Sequence, residues 1–468
     1  MASDVGLIGL AVMGQNLVLN LAGHGFRVAV YNRTAETARR FMQERARGLP
    51  IARGETLRDL VALLQPPRTV MLMVKAGAAV DEMIAQLVPL LSPGDLIADC
   101  GNSYFGDTER RAKELTAKGL EFMGVGVSGG EEGALRGPSI MPGGSAQAYG
   151  RVRPIFEAIA ARTAEGPCVT HIGPRGAGHF VKMVHNGLEY GDMQLIAETY
   201  SILERVGRLD APALARAFAE YNRAELASYL IEITARIFQE EDPDTGQPIV
   251  DVILDAAGQK GTGRWTSEVA LQLGEPTPTV TAAVEARNLS AKKELRLAAE
   301  KSLRAKKPKD LPALPAKNLI RRTGHALYAA KLSLYAQGMA LLAAGSREYH
   351  YELNLPELAR IWKGGCIIRA QLLDVIRAAF AASDELPNLL LAPEVAQAIL
   401  SRYEDWSKVC QLAVAYAIPC PALSSALAYF EALRSGRLPA NLIQAQRDLF
   451  GAHTFERVDR KGSFHHQW

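Results

Sequence analysis

The sequence predicts an α/β amino-terminal domain on a doubly wound, Rossmann-type parallel sheet, then a large all-α domain and a carboxy-terminal tail. Three observations carry this. Over the first 175 or so residues, short apolar segments alternate with helical stretches, the pattern of strands joined by crossover helices. A glycine-rich turn follows the first apolar segment directly. From Ala177 the alternation stops, and long Ala- and Leu-rich segments run to about Gly436 with hardly a strand among them.

Taken in order, Val5–Gly9, Arg27–Tyr31, Thr69–Val74, Leu96–Asp99 and Leu120–Val127 read as strands, each followed by glycine, polar turns or a helical pattern. Gly173-Pro174-Arg175-Gly176 closes this region, which puts the first domain at residues 1–176 and the helical domain at 177–436. Within the helical domain, Asp242–Pro248 and Gly274–Pro278 are rich in Pro and Gly and separate sub-bundles. Residues 437–468, rich in Arg, Gly, His and aromatics, form a tail expected to dock rather than fray.

Composition excludes several classes. A net charge of +3 in 468 residues, with no base-stacking aromatics among the basic residues, argues against nucleic acid. The basic run Lys292–Lys309 alternates with Glu, Leu and Ala at helical spacing and reads as a solvated helix face and loop. Five scattered cysteines without a CxxC pair argue against disulfides and zinc and favour a reducing cytoplasm. The apolar run Val5–Leu10 is too short to span a bilayer, so a soluble protein is expected.

Gly6-Leu-Ile-Gly9-Leu-Ala11-Val-Met13-Gly14 ends the first strand and opens a helix. Small residues at 9, 11 and 14 let the backbone approach a pyrophosphate at the helix N-terminus, where free N–H groups and the dipole favour anions. About 20 residues on, an NAD site places Asp or Glu against the ribose hydroxyls. Here stand Asn32, Arg33 and Thr34, and a guanidinium suits a 2′-phosphate. NADP is the expected cofactor.

Residues 180–192 carry the chemistry. On a helix, Lys182, His185, Asn186 and Glu189 stand at i, i+3, i+4 and i+7 and share an arc of roughly 100°. An amine and a carboxyl on one face can act as base and acid if burial tunes them; the same stripe, left in water, is only a solvated helix face. Two further segments follow strands and so face the ligand crevice of a doubly wound sheet: Cys100-Gly-Asn102-Ser-Tyr, and Ser128-Gly129-Gly130, which can form a small anion nest. Lys260-Gly-Thr262-Gly, Arg287, Arg447 and His453 add donors, and together they indicate a second, phosphorylated ligand.

Several of these segments resemble the decarboxylating 6-phosphogluconate dehydrogenases. They include Gly9-Leu-Ala-Val-Met-Gly-Gln-Asn-Leu, Tyr-Asn-Arg-Thr, Val74-Lys75-Ala76-Gly77 and Gly137-Pro-Ser-Ile-Met-Pro-Gly-Gly144. The 180–192 helix, Ala-Gly-Gln-Lys-Gly-Thr-Gly, Trp362-Lys-Gly-Gly-Cys-Ile-Ile-Arg369 and Phe450-Gly-Ala-His453 match as well, and the order is the family's along the whole chain. The resemblance implies oxidation of 6-phospho-D-gluconate to ribulose 5-phosphate and CO2 with NADP, in the oxidative pentose phosphate pathway, without a metal.

It also implies a homodimer whose tail reaches the partner subunit. Carried over residue by residue, it makes Lys182 the base and Glu189 the acid. Ser128, Gly129 and Gly130 fall at the substrate carboxylate, and Asn102, His185 and Asn186 along the sugar chain. Tyr190, Lys260, Thr262 and Arg287 fall at the phosphate, joined by Arg447 and His453 from the partner's tail. Gly9, Ala11, Met13, Gly14, Asn32, Arg33, Thr34, Val74, Lys75, Ala76 and Asn102 fall at the cofactor. Arg264, Asn288, Phe455 and the ending Ser-Phe-His-His-Gln-Trp depart from the family's usual residues. The rival readings are a shorter β-hydroxyacid dehydrogenase, which lacks the Lys260–Thr262 segment and the His453 tail, and a non-catalytic NADP sensor, expected to lose Lys182 or Glu189.

Overall fold

The computed structural model describes residues 2–303, 315–383 and 385–468. Seven strands form the first sheet: β1 (Val5–Ile8), β2 (Val28–Tyr31), β3 (Ile51–Arg53), β4 (Thr69–Leu72), β5 (Leu96–Asp99), β6 (Glu121–Val127) and β7 (Ile140–Gly143). Their order is β3-β2-β1-β4-β5-β6-β7. The first six pair parallel, and β7 runs antiparallel to β6. β1, β4 and β5 are buried along their whole length, as expected of strands covered on both faces.

The parallel sheet expected from sequence is found in six strands and corrected at one edge, where β7 runs antiparallel. β3, with only three residues, and β7 (Ile-Met-Pro-Gly), which carries Pro and Gly, are strands beyond the five read from sequence. Pro142 is tolerated because an edge strand does not need every N–H in the ladder. Helices α1 (Val12–Gly23), α2 (Ala35–Glu44), α3 (Leu57–Leu63), α4 (Ala78–Leu87), α5 (Phe105–Thr116), α6 (Gly130–Arg136) and α7 (Ala146–Ile159) follow the strands. They leave one apolar cluster on each side of the sheet.

α8 (Ala177–Arg205) then runs for 29 residues. It packs on β6, β7 and α5 at one end and on the helices Thr262–Gln272, Pro278–Ser290 and Ala316–Tyr349 along its length. Most of its residues are buried, on every side. A helix covered all round is a core element rather than an amphipathic surface one.

The helix Lys293–Ser302 is exposed or half-buried throughout, in keeping with a solvated basic face. The rest of the predicted loop, residues 304–309, lies outside the described residues. The tail folds as a helix, Ala440–Gly451, and a two-stranded ribbon pairing Phe455–Glu456 with Ser463–Phe464. Its hub is Asp448, whose buried carboxylate accepts from the N–H groups of Thr454 and His466, the Trp468 indole and the His465 ring. Leu442, Ile443, Leu449 and Phe450 stay exposed on that helix. Among the described residues, no helix is long and apolar enough to cross a membrane.

Candidate active site

The dinucleotide end is shaped by close backbone approaches. Gly9 sits at φ +104°, and a Cβ there would lie 2.3 Å from the Met73 carbonyl oxygen. A Cβ on Gly14 would lie 1.9 Å from the Gly9 carbonyl oxygen, so the first turn of α1 presses directly onto the glycine turn. Ala11 caps α1 in extended backbone and no side chain bonds the helix's first N–H groups. The Asn32 amide oxygen accepts from Leu10 N–H at 2.9 Å, and its NH2 donates to the Thr34 carbonyl at 3.0 Å. Asn32 thereby ties the glycine turn to the end of β2, beside exposed Arg33 and Thr34. Val74, Lys75 and Ala76 form the next loop, after β4. These residues suit a dinucleotide: the glycines place no Cβ in the turn, and Arg33 is an exposed cation just after β2.

Lys182, His185, Asn186 and Glu189 do share a face of α8, and the first three are buried. Lys182 is 6% exposed. Room for it comes from β6: a Cβ on Gly126 would lie 2.5 Å from the Lys182 Cβ. Burial lowers the Lys182 ammonium from its ordinary 10.5 to about 8, opposed by the fields of Glu189 and Cys366. Burial raises the Glu189 carboxyl, opposed by Lys182 and Arg287. Both groups are therefore drawn towards their neutral forms. Seven residues of rise separate their backbone positions by roughly 10 Å along the helix.

His185 is fully buried, which holds its imidazole well below the usual range. Its Nδ1 lies 3.1 Å from the Asn186 amide oxygen, and its Nε2 lies 3.3 Å from the Ser128 hydroxyl. A neutral ring donating from Nδ1 leaves Nε2 to accept from Ser128. This joins the helix to the end of β6. Gly129 (φ +113°) follows there, where a Cβ would meet the Gly365 carbonyl oxygen at 2.6 Å. The Trp362–Arg369 segment thus closes that side.

At the far end of the face, Tyr190 is buried and the Arg287 guanidinium lies 3.5 Å above its ring, a cation–π contact that fixes the charge. The helix Thr262–Gln272 packs against the same ring through Gly263, and Thr266 donates its hydroxyl to the Met183 carbonyl on α8 at 2.8 Å. Thr262 opens that helix, two residues after exposed Lys260. Asn102 is exposed in the loop after β5, and Tyr104 in the same loop packs on Trp265 at 5.4 Å between ring centroids. Sheet edge, α8 and Thr262–Gln272 thus face one another.

Arg447 and His453 belong to the tail, where Arg447 donates to the Gln444 amide oxygen at 3.0 Å and the His453 ring meets Phe450 edge-on. The departures are accommodated locally. Arg264 pairs with Glu268, Asn288 accepts from Gln259, and Phe455 packs across the ribbon on Phe464. Sequence reasoning did not single out Gly126, Thr266 or Arg111. Gly126 carried a signal, since Gly124 and Gly126 alternate in a strand and clear space on one face.

A dinucleotide-type turn at the carboxyl edge of a parallel sheet, set against a buried lysine–carboxyl face, defines a Rossmann dehydrogenase. The chain belongs to the 6-phosphogluconate dehydrogenase family. Residues 4–173 match the NAD binding domain of 6-phosphogluconate dehydrogenase, and residues 178–468 match the 6-phosphogluconate dehydrogenase C-terminal domain. The chain is 58% identical to the decarboxylating 6-phosphogluconate dehydrogenase of Synechococcus elongatus, over 99% of this chain and 98% of that one. It is 52% identical to the NADP(+)-dependent, decarboxylating enzyme of Bacillus subtilis, over 99% of each. Among solved structures, Plasmodium falciparum 6-phosphogluconate dehydrogenase, studied apo, with its cofactor NADP+ and with its substrate 6-phosphogluconate, superposes with a TM-score of 0.96 at 46% identity. The match covers 99% of this chain and 100% of that one.

Proposed function

We propose that this chain oxidatively decarboxylates 6-phospho-D-gluconate to D-ribulose 5-phosphate and CO2, with NADP+ reduced to NADPH, as a step of the oxidative pentose phosphate pathway. The observation that carries the chemistry is Lys182: a buried amine drawn down to about 8, on the same helix face as a carboxyl drawn up. When bound, NADP+ accepts the hydride from C3. Gly9, Ala11, Met13 and Gly14 would hold its pyrophosphate end, Asn32, Arg33 and Thr34 its 2′-phosphate, and Val74, Lys75, Ala76 and Asn102 its other half.

Neutral Lys182 takes the proton of the C3 hydroxyl as the C3–H hydride departs, leaving a 3-keto acid. The C1–C2 bond then breaks, CO2 leaves, and the electron pair enters an enolate whose oxygen is met by the Lys182 ammonium. Glu189, whose carboxyl burial draws towards its neutral form, delivers a proton to the carbon that lost CO2, and the enediol becomes the ketone. Ser128, Gly129 and Gly130 receive the substrate carboxylate, and Asn102, His185 and Asn186 line the sugar hydroxyls. Tyr190, Lys260, Thr262 and Arg287 take the phosphate; the Arg287 charge, preset on the Tyr190 ring, supports this.

The assignment includes the division into a cofactor domain (1–176), a helical substrate domain (177–436) and a tail (437–468). The protein acts as a homodimer in which Arg447 and His453 complete the partner's site. Support comes from a tail that exposes Leu442, Ile443, Leu449 and Phe450 along one short helix, more apolar surface than a free segment keeps in water. A cytoplasmic setting accords with five free, buried cysteines.

The test is direct. Purified protein given NADP+ and 6-phosphogluconate should produce NADPH absorbance and CO2 in equal amounts. No signal with this or any other phosphorylated aldonate would sink the enzyme reading.

A further inference from the structure

Arg111 is a buried cation that this scheme leaves unused. Arg111, on α5, is 1% exposed and ranks among the largest fully buried side chains. Its Nε and Nη2 donate to the two Asp81 carboxylate oxygens at 2.8 and 3.0 Å. Nη2 also donates to the Gly77 carbonyl at 3.0 Å, in the turn that follows Val74, Lys75 and Ala76. Nη1 lies 3.6 Å from Asp99 Oδ2 and has no hydrogen-bond acceptor of its own.

Asp99 is the last residue of β5 and is fully buried. Its carboxylate accepts from Gly101 N–H at 3.0 Å and from the Ser103 hydroxyl at 2.6 Å, the residues on either side of Asn102. Above this pair the two loops touch: a Cβ on Gly101 would lie 3.1 Å from the Val74 carbonyl oxygen.

We infer that Arg111, acting with Asp99, is a positioning residue that locks the loop after β4 and the loop after β5 into one rigid edge. This rests on the assignment of Val74–Ala76 to the cofactor and Asn102 to the reacting ligands. One guanidinium donates to Gly77 and Asp81 after β4 while its Nη1 stands 3.6 Å from the Asp99 carboxylate at the end of β5, because its nitrogens fan out in a plane; an ammonium lacks that fork. Misplacement of a reacting group by about 1 Å can cost about 10²-fold in rate, so the separation of the two loops matters to turnover.

The test uses Arg111→Lys, Asp81→Asn and Asn102→Ala in the full-length enzyme. Arg111→Lys should lower kcat by about 10²-fold and raise KM for both NADP+ and 6-phosphogluconate. Asp81→Asn, at the solvent-facing end of the clamp, should move all three in the same direction by less, and it serves if Arg111→Lys does not fold. Combining either with Asn102→Ala should cost less than the product of the single losses, as for residues acting through one another. A lower kcat that merely follows the folded fraction, with both KM values unchanged, overturns the clamp, and so do fully multiplying losses. If Asn102→Ala impairs turnover while the clamp variants do not, the clamp alone falls. If Asn102→Ala is silent, the assignment of that loop falls with it.

Discussion

Replacing Lys182 with Met should stabilise the protein while abolishing turnover. Burial drops the ammonium from 10.5 to about 8, which corresponds to about 3 kcal/mol of cost carried by the folded state at neutral pH. The folded chain binds this proton more weakly than the unfolded chain. Below about pH 8 both states hold it and the full cost is present. Between about 8 and 10.5 only the unfolded chain holds it, so stability rises with pH, and above 10.5 the cost is gone.

Met has similar length and no charge, so Lys182→Met removes this cost without opening a large cavity. Unfolding entropy of about 2.1 cal/mol/K per residue over 468 residues converts 3 kcal/mol into about 3 °C of Tm. Melting of both proteins at pH 7 and pH 10 measures it. The variant should melt about 3 °C higher at pH 7, with the margin nearly closed at pH 10, and its kcat should fall at least ~10²-fold. A variant that melts lower at pH 7, or a margin that ignores pH, refutes the account of Lys182 as a desolvated base. The wild-type kcat/KM should also climb as pH rises through about 8, because the neutral amine is the active form.

Three further outcomes are expected. Arg33→Ala removes charge-assisted bonds of about 1.5–3 kcal/mol, so KM for NADP+ should rise ~10- to 100-fold and the preference over NAD+ should narrow; an unchanged KM removes Arg33 from the cofactor site. Glu189→Gln should leave single-turnover hydride transfer near wild type while steady-state kcat falls by about 10²-fold, and equal losses in both phases would deny Glu189 its later role as acid. Co-expressing Lys182→Ala with His453→Ala should return roughly a quarter of wild-type activity, since mixed dimers regain one intact site; no recovery refutes a site shared between subunits.

The parts legible in the sequence were those governed by local rules. Four-residue apolar strands, a glycine turn between strand and helix, and a polar stripe at helical spacing each follow from backbone geometry. β3 and β7 escaped because three residues, or a run ending in Pro-Gly, carry no periodicity of their own. They are strands only because a neighbour supplies the ladder.

Lys182 shows the same divide. Its helical phase with His185, Asn186 and Glu189 is a property of spacing alone. Its depressed pKa belongs to the packing of β6, where Gly126 makes space for it, and of the helices that wrap α8. The Arg287–Tyr190 stack and the Arg111–Asp99 contact join residues 97 and 12 positions apart, and no local pattern announces such partners. The sequence by itself determined which side chains share a face and which turn receives a dinucleotide, because backbone periodicity sets both. Only the tertiary structure decided that the face is dry, since removal from water depends on what packs against it, and desolvation is what turns a lysine into a base.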